Sequence, residues 1–341
     1  MISFEEFLDT PIGISPSSQA YLTTKKSYRN DYRFINVTSY SQREVLHECP
    51  RKFQQLKIVR AGAEQEETSN VDFIFGHAVG AGVQNYIVNE DKNFALYTTF
   101  LAWKADLETV LPKKQKSFLF AYLAVLKFID VWDQIKDTWT IAVFNERPAS
   151  ELLFWIDCEN GYFHVGHIDV IIQNRITKEL KIVEIKTTSS RYPDEAAYGN
   201  SDQALGYSIV LDAIAKHTIQ ISTFNVLYYV YSTTSRNWSV FQFTKNRSQR
   251  ADWLQDLLLD HSTIETYRKL RLFPKRGNSC WTFSRRCPHY GICDLKDSTR
   301  NDSFHTWTLE NGYSENPDFI FKLSELISGI RYSTTTVSSE E

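Results

Sequence analysis

The sequence has no stretch approaching the roughly 18 uninterrupted apolar residues of a membrane span. Its start, MISFEEFLDT, lacks the basic head and apolar run of a secretory leader. Both absences predict an intracellular, cytoplasmic protein. A Gly-rich phosphate loop of the Walker type is also missing, so no ATP-driven motor is expected in this chain. There are no internal repeats. Positive charge is not in excess: 38 Lys and Arg face 41 Asp and Glu, a formal net charge of -3. That balance excludes a protein that coats nucleic acid by bulk charge, although basic residues can still be concentrated locally. Cysteine is scarce. Five cysteines in an intracellular chain argue against structural disulfides and towards a metal, a cluster or plain core use.

What is present is a globular composition. Hydrophobic residues make up 42% and charged residues 23%, and 341 residues allow one large domain or two of ordinary size. The aromatic share of 14% suits a large core, and some rings could also stack on bases. Between Lys245 and Arg286 ten Lys or Arg stand against four Asp or Glu. A solvated helix and loop, or a surface for a polyanion, would each explain that excess.

Residues 1–37 give weak signals and read as an N-terminal extension. Ser39 with Gln42, and Ser41 with Glu44, fit capping boxes, predicting a helix from Ser39 towards Cys49, before Pro50. Ala63 to Asn70 reads as a loop. Residues 71–140 read as mainly helical. Phe73, Phe75, Val79, Val83 and Ile87 recur near helical spacing, and a second helix is predicted over about Ser117 to Lys136. The pattern then changes. ELLFWIDC, the turn Glu159–Asn160–Gly161 and YFHVGHIDVII form a predicted hairpin, and QNRITKE leads to a third strand, LKIVEIKTT. Apolar residues on both faces predict a sheet covered on each side. A helix from about residue 200 to 216, strands over about 222–231 and 238–243, and a long helix over about 248–272 follow. This alternation predicts an α/β fold. A helical region with the first cysteine (38–145), a core (146–272), a Cys-rich segment (273–330) and a disordered tail (331–341) complete the division.

One stretch carries chemistry. In a strand, alternate side chains share a face, so Glu184 and Lys186 point one way and Ile185 the other. A hairpin returning through residues 173–179 brings Asp169 beside Glu184. Two acids this close repel unless a cation lies between them, and Mg²⁺ or Mn²⁺ suits carboxylate oxygens. Such an ion would bind a phosphate oxygen and lower the pKa of a bound water, with Lys186 offsetting charge that grows on the phosphate. EIK alone is also what a strand-edge pair looks like. Here, however, Val183 and Ile185 flank Glu184, and a charged pair in so apolar a strand needs a reason.

These residues resemble a known family. GHID (166–169), EIK (184–186) and the pair Gln203 and Tyr207 in QALGY match, in order, the three motifs of the RecB-like branch of the PD-(D/E)XK nuclease superfamily. The resemblance covers about residues 150–245. It implies a restriction-endonuclease-like mixed sheet flanked by helices, and metal-dependent hydrolysis of DNA. Asp169, Glu184 and the backbone carbonyl of Ile185 would hold the metal. Lys186, Gln203 and Tyr207 would complete the catalytic group. The family also has an upstream His, in the form Gly-x-x-x-His. Gly76 fits that pattern, but Gly80 occupies the His position, and His77 is the nearby alternative. Glu151 opens the first strand where an acidic residue often stands, which suggests a supporting role.

The cysteines extend the resemblance. Cys49 in HECPRKF, with Cys280, Cys287 and Cys293 clustered downstream, is similar to the iron–sulfur members: AddB-type helicase–nucleases and the nucleases of CRISPR spacer acquisition. Four thiolates suit a [4Fe–4S] cluster or a tetrahedral Zn²⁺. The six residues between Cys280 and Cys287 depart from the two usual there. Cys158 reads as a core residue. The implied partners are single-stranded DNA or duplex ends, with recombination, repair or replication proteins. Lys113, Lys114, Arg268, Lys269, Lys275 and Arg276 are the candidate DNA contacts. A module that binds nucleic acid or a protein without cutting remains the alternative, because of Gly80.

Overall fold

The computed structural model describes residues 36–55, 71–104, 115–144, 146–215, 224–270, 272–282, 285–287, 289–290, 293 and 317–332. In chain order the principal elements are β1 (Asn36–Ser39), α1 (Tyr40–Glu48), α2 (Val71–Asn89), α3 (Lys92–Lys104), α4 (Phe118–Trp132) and β2 (Trp139–Ile141). Then come β3 (Ser150–Asp157), β4 (Tyr162–Asn174), β5 (Leu180–Thr188), α5 (Asp202–Ala215), β6 (Phe224–Ser232), β7 (Asn237–Lys245) and α6 (Arg247–Lys269). The last two are β8 (Phe319–Lys322) and α7 (Leu323–Tyr332). The result is the expected α/β class, a mixed sheet flanked by helices.

The described residues divide into two units. One lies within Thr68–Leu152 and His167–Arg250, the other within Ser15–Glu67, Leu153–Gly166 and Ala251–Glu341. The chain passes between them inside β3, β4 and α6.

In the first unit, β4 and β5 pair antiparallel (Val170 opposite Val183) and β5 pairs parallel with β6 (Glu184 opposite Tyr228). β7 closes antiparallel on β6, and β2 lies antiparallel on β4. Val170, Ile172, Val183, Leu227, Tyr229 and Tyr231 form one core with Phe75, Val79 and Val83 of α2 and Val125, Phe128 and Trp132 of α4. Ile185 packs against that core too. By strand alternation, Asp169, Glu184 and Lys186 face the other way. α5 contacts β5 and β6, so this unit's sheet is helix-covered, as the apolar strands require.

In the second unit, β1 runs parallel to the first half of β4, and β8 parallel to β3. Val37, Leu153, Trp155, Phe163, Val165 and Ile320 form its core. α1 is tied to α6 by the buried Arg43–Asp260 ion pair at 2.6 Å. The expected turn after β3 is present, with Gly161 at φ 84, a conformation glycine adopts without steric cost.

Several expectations are corrected. Ser39 is the N-cap of α1, but its side chain caps no backbone N–H; its hydroxyl meets Ser41 Oγ at 3.2 Å, so neither capping box closes. Phe73 follows the helical spacing yet is 74% exposed, its ring stacked on His77. α4 ends at Trp132, with turns rather than helix through Lys136. Cys158 is buried as expected, but just beyond the end of β3. Two further elements lie in the segment expected to be Cys-rich: β8, too short to show a period, and α7, whose Leu323, Leu326, Ile327 and Ile330 follow helical spacing that the sequence reading passed over. α7 takes in Arg331 and Tyr332 of the expected tail, whose remainder lies outside the described residues. So do residues 63–70 of the expected loop.

Candidate active site

The first unit's sheet brings together the residues that sequence spacing singled out. β5 presents Glu184 and Lys186 on one face, and the β4–β5 register sets Asp169 alongside. The Asp169 carboxylate accepts the Ile185 backbone N–H at 3.0 Å. Lys186 Nζ lies 2.6 Å from Glu184 Oε1 and donates to Gln203 Oε1 at 3.1 Å. Gln203 Nε2 in turn donates to the Tyr207 hydroxyl at 2.7 Å. Gln203 and Tyr207 are one helical turn apart on α5, so one helix face anchors the lysine. A continuous polar chain thus runs Glu184–Lys186–Gln203–Tyr207.

Its electrostatics are those of a charged site pressed into an apolar sheet. Glu184 is 2% exposed, whereas Lys186 is 38% exposed. Burial, then the neighbouring Glu184 charge, pushes the Asp169 carboxyl well above the usual carboxylate range, against the pull of Lys186 and the Ile185 N–H. Burial also raises Glu184, with Lys186 opposing. Burial and the same two carboxylates raise the Tyr207 phenol, so it stays protonated as a hydrogen-bonding group. Among the described residues Glu184 Oε2 has no hydrogen-bond partner. A buried carboxylate oxygen with no donor, beside a second raised carboxyl, suits a hard divalent cation in chemistry, although among the described residues no third His, Cys, Asp or Glu is gathered with them closely enough to hold one.

Glu151 belongs to this electrostatic neighbourhood, since its charge raises Asp169, Glu184 and Tyr207 alike. It adopts φ 52, a left-handed conformation that costs a non-glycine residue roughly 1–3 kcal/mol and is concentrated at functional sites. Gln84 Nε2 donates to its carboxylate. Sequence reading missed Gln84. The available signal was its position four residues after Gly80, on the same face of α2.

The upstream histidine has no equivalent at Gly80. A Cβ there would meet nothing within 4 Å, while one at Gly76 would touch Thr187, next to Lys186. His77 is exposed and stacked on Phe73. It is not brought to the carboxylates.

In the second unit, Cys49, Cys280, Cys287 and Cys293 line one cavity with His289 and the basic residues Arg51, Lys52, Lys275 and Arg276. All four cysteines are free thiols. Burial raises the Cys293 thiol, and Cys49 and Cys280 raise it further. Among the described residues, no group of three or more His, Cys, Asp or Glu side chains is gathered closely enough to hold a metal ion. The expected iron–sulfur or zinc centre therefore finds no preformed coordination shell, only a shared cavity. Of the candidate DNA contacts, Lys113 and Lys114 lie outside the described residues. Arg268 pairs with Glu265 and Tyr162, Arg276 donates to the His47 carbonyl, and Lys269 and Lys275 are exposed.

The model of the PD-(D/E)XK nuclease superfamily matches residues 37–294. The chain belongs to this superfamily. Its mixed sheet with flanking helices is the restriction-endonuclease-like arrangement, and superfamily members are metal-dependent nucleases. No curated protein matches the chain. One solved structure, "Crystal structure of SSO0001", aligns at 12% identity over 71% of this chain and 85% of that chain, with a TM-score of 0.28. No helix among the described residues of this superfamily member is long and apolar enough to cross a membrane.

Proposed function

We propose that this protein is a RecB-like deoxyribonuclease that hydrolyses phosphodiester bonds, acting as an exonuclease in DNA recombination, repair or replication. The observation that carries the reading is Lys186, held by Glu184 and Gln203 beside a buried carboxylate oxygen that has no donor. The branch assignment rests on the order of GHID, EIK and QALGY.

Asp169, Glu184 and the Ile185 carbonyl would hold Mg²⁺ or Mn²⁺, with Glu151 in support. A bound cation supplies charge stabilisation at the phosphate and an activated water. Lys186 offsets the negative charge that develops on the phosphate oxygens. Gln203 fixes the ammonium, and the protonated Tyr207 fixes Gln203 by accepting its amide. Burial keeps bulk water from screening the Glu184 carboxylate, while the part-exposed Lys186 stays open to the substrate side.

Cys49, Cys280, Cys287 and Cys293 are assigned a structural [4Fe–4S] cluster, with Zn²⁺ as the alternative ligand; their shared cavity supports this. Anaerobic purification distinguishes the two, since a cluster protein is brown and a zinc protein colourless. A colourless, metal-free folded protein would remove both assignments. Lys113, Lys114, Arg268, Lys269, Lys275 and Arg276 remain assigned to the DNA backbone.

The test is cleavage of end-labelled single- and double-stranded DNA with Mg²⁺, Mn²⁺ or EDTA, beside Lys186→Ala. Metal-dependent shortening from one end that is lost in the variant is the expected result. Gly80 favours the second reading, a module that binds without cutting. Intact DNA after incubation with folded, metal-supplied protein would establish it over the first.

A further inference from the structure

The Cys-rich segment of the second unit carries a surface that the cleavage chemistry does not use. Trp281–Thr282 and Arg285–Arg286 form a two-stranded antiparallel hairpin in which Trp281 lies opposite Arg286. Opposed residues present their side chains to the same face. Trp281 is 62% exposed and Tyr290 53% exposed. The exposed Arg286 guanidinium sits 5.1 Å from the centroid of the Tyr290 ring. Two backbone hydrogen bonds fix the spacing: Cys287 N–H to the Cys280 carbonyl at 2.9 Å, and Tyr290 N–H to the Cys287 carbonyl at 3.0 Å.

Single exposed aromatics are ordinary. A tryptophan and a tyrosine within ten residues, joined through an arginine already layered on one ring, are a different case. Charge identifies the occupant. From Leu272 to Cys293 the chain carries Lys275, Arg276, Arg285 and Arg286 and no Asp or Glu, within a molecule whose net charge is -3. Lys275 and Arg276 are exposed as well. Flat rings with cations between them fit a ligand that alternates unpaired bases with phosphates. A duplex hides its base faces and would use only the cations.

We propose that Trp281, Arg286 and Tyr290 form a docking surface for single-stranded nucleic acid, with bases stacking on the two rings and Arg286 between them. The proposal deepens the nuclease reading, on which its nucleic-acid partner rests, by naming the form of the strand that is held.

The test is fluorescence anisotropy of labelled oligo(dT) and of a duplex of equal length, with the full chain as purified and without added Mg²⁺ or Mn²⁺, the labelled strands being checked for cleavage afterwards. The double variant Trp281→Ala/Tyr290→Ala should lose about tenfold or more in single-strand affinity, with little change for duplex. Trp281→Phe should restore most of its share, which separates stacking from loss of fold; thermal melting checks the fold directly. Arg286→Ala should lower the salt slope of binding by about one contact, whereas the ring variants should leave it unchanged. Unaltered oligo(dT) affinity in the folded double variant, an equal loss on duplex, or no binding by the parent protein would overturn the proposal. The two readings fail separately. A parent that binds oligo(dT) through these rings yet cuts nothing keeps the surface and loses the nuclease. A parent that cuts while the double variant binds normally does the reverse.

Discussion

The lysine at the centre of the candidate site is held from two sides, by a carboxylate on its own strand and by an amide on α5. The two contacts have different consequences. On the proposed nuclease reading, removing the ammonium removes the charge that would meet the phosphate, so Lys186→Ala should lower kcat by about 10²–10³ while leaving substrate binding nearly intact. Gln203→Ala leaves the ammonium paired with Glu184 but free to swing. Its loss in kcat should therefore be smaller, about tenfold, and Gln203→Glu should not rescue it, because a second carboxylate beside Glu184 would bring in repulsion. Single-turnover rates of the three variants on one substrate check the ordering. A Gln203→Ala rate as low as that of Lys186→Ala would mean that the glutamine itself touches substrate.

At the scale of the element, two glycines of α2 two residues apart meet opposite surroundings. Gly80 faces open space, so Gly80→Ala should stabilise the helix by about 0.5–1 kcal/mol through backbone entropy. Gly82 is buried where α2 meets α3 and α4. A Cβ there would come within 2.7 Å of Val125 Cγ2 and press on Thr99, whose hydroxyl is committed to the Ala95 carbonyl. Gly82→Ala should therefore destabilise by about 1–3 kcal/mol. Urea denaturation of the two variants should give shifts of opposite sign. This contrast also shows what sequence could and could not convey. Both glycines read alike in FGHAVGAGVQ, and only the neighbouring helices tell them apart. The strands β4 and β5 were legible because short apolar, β-branched runs bounded by polar turns are local signals, and with them came the pairing of Asp169 with Glu184. The Gln84–Glu151 contact joins residues 67 positions apart and depends on a left-handed backbone at Glu151, for which no local residue pattern exists. β8 is four residues long and pairs with a strand more than 150 residues away, too little sequence to show a period.

On the scale of the whole molecule, part of the loss of stability in acid should come from histidines that the candidate chemistry does not involve. In the second unit His164 and His261 are buried, and burial holds both imidazoles neutral, with the Arg43 guanidinium reinforcing the effect. His261 is lowered to about 3, even though Asp260 pulls the other way. Its ring stacks on Tyr162 and its Nε2 meets the Thr38 hydroxyl at 3.0 Å, so α6, β1 and β4 all close on it. His164 lies edge-on to Trp253, and Arg43 and His47 both meet Asp260 at 2.6 Å. The unfolded chain protonates these imidazoles near the ordinary 6.5, while the folded chain does not take up the proton on His261 until about 3. The unfolded state therefore binds more protons throughout that window, and stability falls as pH falls through it. His261 alone should cost on the order of 1–2 kcal/mol of stability by pH 5. His261→Gln keeps a hydrogen-bonding partner for Thr38 and cannot titrate. Its unfolding free energy, measured in urea between pH 7 and pH 4.5, should decline less steeply than that of the parent by close to one proton. Parallel curves for the two proteins would mean that His261 is already protonated in the folded state, with Asp260 rather than Arg43 deciding its charge.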